Sequence, residues 1–140
     1  MEPDPFNLAW FTEAQNGVYE HAVAELRRGR KTSHWMWFVF PQIAGLGQSA
    51  TSRHYGITSL AEAEAYLAHP MLGPRLRECA SVLMSLSNRT ADQIFGGIDA
   101  MKLRSSMTLF LHADPGEPLF RQVLDQYFKA AADPATEERL

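Results

Sequence analysis

Between Pro70 and Asn88 the apolar residues Leu72, Leu76, Cys79, Leu83 and Leu86 recur in alternating steps of four and three. Only a helix with one buried face fits that spacing, because side chains three and four apart lie on the same side of a 3.6-residue turn. A chain that carries such a stripe must supply further apolar faces to cover it. Its flanks supply them as helices. Asp4, Pro5 at the first helical position, Leu8 and Phe11 on one face, and Asn16-Gly17 as a stop predict a first helix. Val18, Tyr19, Ala22, Val23 and Leu26 predict a second, ended at Gly29. Ser59 with Glu62 forms a capping box ahead of Ala63, Tyr66 and Leu67, and His69 before Pro70 opens the striped helix. Thr90 with Gln93 caps a short helix that Gly96-Gly97 closes. Asp99 is expected to cap the next, striped by Leu103, Met107, Phe110 and Leu111. Pro118 opens a last helix with Leu119, Phe120, Val123, Leu124, Tyr127 and Phe128 facing inward.

Two stretches carry no clear period. Trp35–Phe40 is short enough for either a buried helical turn or a strand, and the surrounding helices favour helix. Gly45–Thr58 mixes glycines, serines and threonines with Arg53, His54 and Tyr55 and reads as one long irregular loop. Loops of that length in helical domains are disproportionately functional. The expected architecture is all-α: a compact, multihelical single domain over residues 1–140, with a polar tail fraying from about Ala132.

Composition narrows the setting. At 140 residues the chain suits one domain that buries roughly two thirds of its unfolded surface. A net charge of −3 gives no global attraction to nucleic acid or anionic membranes. Arg27-Arg28-Gly29-Arg30-Lys31 is explained by its place at a helix C-terminus, where the dipole favours cations. Cys79 is the only cysteine, which excludes an internal disulfide and suits a reducing compartment; its place on the stripe makes it a small core residue. The longest apolar run, Trp35–Phe40, is too short to span a bilayer, and Met1-Glu2-Pro3-Asp4-Pro5 is unlike a signal peptide. A cytoplasmic protein without membrane or nucleic-acid partners is expected. His21, His34, His54, His69 and His112 lack metal-ligand spacing, and no glycine-rich phosphate loop is present, so neither metal nor cofactor is expected.

Two blocks could carry chemistry. Ser33–Gln42 concentrates His34, Trp35, Trp37, Phe38, Phe40 and Gln42, whose polar groups need partners when buried. It is either a core strip or a pocket wall, in which Trp35 or Trp37 stacks on a planar ring while His34 and Gln42 hydrogen-bond to it. In the second block, Lys102 lies three and four residues before Ser105 and Ser106 and can reach both hydroxyls on a helix. That trio could bind a phosphate or carboxylate, activate a serine, or form a polar face whose serines bond back to the preceding turn. If the site is catalytic, His34 is the proton-transfer candidate, imidazole being the side chain that titrates near neutrality.

Asp4-Pro5-Phe6-Asn7-Leu8, Ala14-Gln15, His34-Trp35-Met36-Trp37-Phe38, Phe40-Pro41-Gln42 and Gly45-Leu46-Gly47 stand in the order of a known family. So do Glu62-Ala63, Tyr66-Leu67, His69-Pro70, Leu72-Gly73, Arg75-Leu76, Lys102-Leu103 and Ser105-Ser106-Met107-Thr108-Leu109-Phe110. On these motifs the chain resembles the DUF1810 family of uncharacterised bacterial proteins, some of which have carried a calpastatin-like label. The resemblance implies a compact, mainly helical fold. A fold-level analogy extends to the NADAR superfamily, whose proteins act on ADP-ribose-linked substrates, but it transfers no catalytic residue. The expected function is a small-molecule pocket, nucleotide- or ADP-ribose-related, formed by His34, Trp35, Trp37, Gln42, Lys102, Ser105 and Ser106. The alternative is a protein-interaction module that uses an exposed aromatic 34–42 segment. These residues leave open whether the chain is an enzyme.

Overall fold

Turn chemistry places most of the helix boundaries in the computed structural model, which describes residues 4–46 and 49–140, the side chains of Ser52 and Arg53 excepted. Gly47, the side chain of Arg53 and the segment Met1-Glu2-Pro3 lie outside the described residues. Helix α1 (Ala9–Gln15) begins later than Asp4-Pro5 predicts, with Leu8 at its N-cap, yet the Asp4 side chain reaches forward to its first turn. The backbone N–H groups of Ala9 and Leu8 donate to its carboxylate at 2.9 and 2.7 Å and hold the carboxyl below the usual range. Asn7, left-handed at φ 55°, turns the chain between Asp4 and the helix. Helix α2 (Tyr19–Arg27) is followed by Gly29 at φ 73°, a conformation that spares glycine the Cβ penalty.

The Trp35–Phe40 run forms a single turn, α3 (Met36–Val39), as favoured. Helix α5 (Leu60–Ala68) has half of its expected box. Ser59 accepts from the Glu62 N–H, but the Glu62 side chain turns to Thr58. In α6 (Leu72–Ser85) the stripe Leu72, Leu76, Cys79 and Leu83 is buried. His69 Nδ1 accepts from the N–H groups of Met71 and Leu72, so the histidine opens the helix as its position before Pro70 suggests. Helix α7 (Ala91–Phe95) has both halves of its Thr90–Gln93 box.

Helix α8 (Gly97–Ala113) is the central element. It packs against α5, α7, α9 (Pro118–Phe128) and α10 (Pro134–Glu138), and every residue from Ser105 to Phe110 is buried. The Ser105–Phe110 stretch, covered on all sides, cannot show a strongly one-sided pattern, which is why polar Ser105, Ser106 and Thr108 lie inside it. Where α5 meets α6 the two backbones come close. A Cβ at Gly73 would fall 2.1 Å from the Leu67 carbonyl oxygen.

Three expectations are corrected. Gly45–Thr58 is not wholly irregular: it holds α4 (Ala50–His54), and Ile43 pairs with Ile57 in an isolated parallel bridge. That bridge closes the segment, with Ala44 N–H on Ile57 O at 2.7 Å and Ile57 N–H on Gln42 O at 2.8 Å. Asp99 does not cap α8, which starts two residues earlier at Gly97; its carboxylate is bound by lysines instead. The tail from Ala132 does not fray but forms α10. Asp133 caps it through Thr136, Arg104 holds the carbonyls of Ala131 and Ala132 at 2.8 and 2.7 Å, and Thr136 is fully buried. Among the described residues there is no strand, and no helix is long and apolar enough to cross a membrane.

Candidate functional site

The turn that leads from α2 into α3 is built around a buried carboxylate. Glu25, on the inward face of α2, accepts at Oε1 from the backbone N–H groups of Thr32 and Ser33 at 2.7 and 3.0 Å, and from the Trp35 indole N–H at 3.0 Å. The Ser33 hydroxyl donates to Oε2. Burial alone would raise the Glu25 carboxyl, but these four donors outweigh it and hold the pKa at about 2. Trp35 is thereby sealed at 0% exposure, its ring packed against Phe40 and Phe95. From α1, Gln15 Nε2 donates to Phe38 O at 2.7 Å and to Tyr66 Oη at 3.3 Å, while its Oε1 accepts from Arg75. The short α3 is pinned from both sides.

Trp37 is placed differently. It is half-buried, and the Lys102 ammonium lies 3.5 Å from its ring centroid, a close cation–π contact. Lys102 Nζ also pairs with Asp99 Oδ1 at 3.0 Å, while Lys31 Nζ pairs with Asp99 Oδ2 at 2.8 Å and stands 5.2 Å from the Trp35 ring. Two ammonium groups thus share one carboxylate. Burial opposes the ionised Asp99, but hydrogen bonds from Lys31 and Lys102 prevail and lower its pKa. The two sequence blocks meet at this contact.

The remaining candidates divide. Gln42 is half-buried, and its Nε2 is enclosed without a hydrogen-bond partner among the described residues. Ser106, one turn beyond Lys102, is fully buried, and its Oγ likewise has no partner among the described residues. Ser105 faces away toward α10, donating to Asp133 Oδ2 at 2.9 Å with the Met101 carbonyl at 3.1 Å. His34 is exposed. Trp35 is committed to Glu25 and the core. Sequence reasoning passes over Glu25, and takes Lys31 only as part of a basic helix C-terminus and Asp99 only as a cap. Glu25 was the detectable one, since it follows Ala22 by three residues and so falls on a buried face. Cys79 is enclosed, and burial pushes its thiol up to about 12, an unreactive setting. No group of three or more His, Cys, Asp or Glu side chains among the described residues could hold a metal ion.

Comparison with known proteins gives a relationship without an activity. The family model "Protein of unknown function (DUF1810)" matches residues 5–140. The crystal structure of the conserved hypothetical protein Rv1873 from Mycobacterium tuberculosis is similar over 98% of both chains, with 49% identity and a TM-score of 0.96. No curated protein matches the chain.

Proposed function

We propose, for a chain that belongs to the DUF1810 family and takes no assigned activity from it, that the Trp37–Lys102 contact recognises a small anionic ligand with a planar ring, of the nucleotide class that includes NAD and ADP-ribose. The carrying observation is the Lys102 ammonium 3.5 Å from the Trp37 centroid, beside a second lysine that shares its carboxylate. Two cations against one anion leave an excess positive charge that a phosphate would neutralise. The half-buried indole offers a flat apolar surface to a base or nicotinamide ring. Gln42 Nε2 supports the reading, because a buried polar atom without a partner among the described residues is uncommon and a turn of this half-buried side chain would bring it to a ligand; Ser106 Oγ, fully enclosed, stays out of the ligand's reach. His34 would contact the ligand from the exposed rim. Trp35 and Ser105 keep the scaffold in place and touch no ligand. Docking of a protein on the 34–42 segment has less support. Trp35, Met36, Val39 and Phe40 are buried, and none of the large exposed hydrophobic residues comes from this segment.

The test is a thermal-shift titration with nucleotides, NAD, ADP-ribose and free bases, on the wild type and on Trp37→Ala and Lys102→Ala. At least one phosphate-bearing compound is expected to raise the wild-type melting temperature in a concentration-dependent way, and to do so in neither folded variant. A panel that leaves the folded wild type unmoved would sink the reading.

A further inference from the structure

A cavity of about 220 Å³ lies where α1 meets the end of α4 and the start of α5, and the carboxylate in its wall is opposite in charge to the lysines of the Trp37–Lys102 contact. Its walls include Phe6, Trp10, Phe11, His54, Thr58 and Glu62. None of these residues takes part in the Trp37–Lys102 contact. Glu62 is only 6% exposed, and its hydrogen bonds from Thr58, at 3.3 Å from N–H and 2.7 Å from Oγ1, both fall on Oε1. Among the described residues no lysine, arginine or histidine pairs with it. A carboxylate withdrawn from water without a countercharge is costly, and a bound cation removes the cost. The rings beside it suit the same occupant, because aromatic faces attract cations. Trp10 is oriented before any ligand arrives. Its indole N–H donates to the His54 carbonyl at 3.0 Å, and its ring lies 4.1 Å from the His54 ring. At 38% exposure it still opens to solvent. A phosphate or carboxylate would meet the charge of Glu62, so the ligand class of the first site is excluded here. The volume is below that of sites for drug-sized molecules.

From this juxtaposition we infer that the cavity between Trp10 and Glu62 binds a small organic cation, an alkylammonium group whose charge faces Glu62 Oε2 and whose methyl or methylene surface lies against Phe6 and Trp10. Tetramethylammonium and methylammonium are the probes, tert-butanol the neutral control of similar shape, and the indole and backbone N–H resonances of the ¹⁵N-labelled protein the readout. Tetramethylammonium or methylammonium is expected to shift the Trp10 indole and Thr58 backbone resonances saturably, with affinity, read at Thr58 in Trp10→Leu, about tenfold weaker in Glu62→Gln and in Trp10→Leu and unchanged in Lys102→Ala. Glu62→Gln keeps an acceptor for Thr58. If that variant does not fold, the exposed Trp10→Leu decides. The inference is overturned if neither cation shifts the folded wild type saturably, if the folded Glu62→Gln binds as tightly as the wild type, or if tert-butanol acts as the ammonium probes do. None of these outcomes bears on the Trp37–Lys102 site, which Lys102→Ala tests separately.

Discussion

Trp35 and Trp37 stand two residues apart, yet one belongs to the core and the other to the surface chemistry. Trp35 has its indole N–H on a carboxylate, no exposed area and two aromatic neighbours. Trp37 lies half-open under an ammonium group. Ser105 and Ser106 repeat the division on α8, the first bonded to Asp133 and the second enclosed with no partner among the described residues. One residue of helix turns a side chain by roughly 100°, so neighbours in a motif face different surroundings. A block of unusual residues is therefore seldom a site as a whole. One member is bonded into the scaffold, and its neighbour is left uncommitted.

The division is testable, most sharply at the tryptophans. Trp35→Ala should cost about 3–5 kcal/mol in urea denaturation, the loss expected for a large buried aromatic. Trp37→Ala should cost about 1 kcal/mol, near the value of a partly solvated cation–π contact. Equal losses would break the contrast.

Glu25→Gln should destabilise by about 2 kcal/mol, because charged hydrogen bonds are replaced by neutral ones. Its pH signature follows from a folded pKa of about 2, below the ordinary 4.5. The contribution of the ionised carboxylate is complete above the ordinary value and is lost progressively as pH falls through that interval. Urea midpoints measured from pH 5 downward should therefore fall less steeply in the variant than in the wild type, and parallel curves would contradict the role given to Glu25. The smallest effects belong to the serines. Ser105→Ala should lose about 1 kcal/mol with its bond to Asp133, whereas Ser106→Ala should be neutral or slightly stabilising, since it removes an unpaired hydroxyl. A loss at Ser106 equal to that at Ser105 would show that its hydroxyl has a partner.

What was legible in the sequence was local. Thr90 and Gln93 lie within one turn of each other, as do Asn16-Gly17 and the helix they end, so short-range geometry sufficed. The 102–106 spacing marked Lys102 for the same reason, but it could not say that Ser105 turns to α10. Asp99 shows the limit. In the first turn of a helix an aspartate reads as a cap, and only the fold brings Lys31 to it. The polar tail misled in a related way. Its residues look solvent-bound until Arg104, Ser105 and Thr108 of α8 provide partners for Ala131–Asp133.

The Gly73 contact has a bearing on both Glu62 and Tyr66, although it touches neither. With a Cβ at position 73 placed 2.1 Å from the Leu67 carbonyl, α5 can lie where it does only because α6 presents bare backbone there. Helix α5 carries Glu62 to one cavity and Tyr66 to the Gln15–Phe38 junction that pins α3. An added methyl group would act as a wedge driven into a joint, displacing both ends of the beam at once. The alignment of two separate chemical neighbourhoods is set by a hydrogen atom where any other residue has carbon.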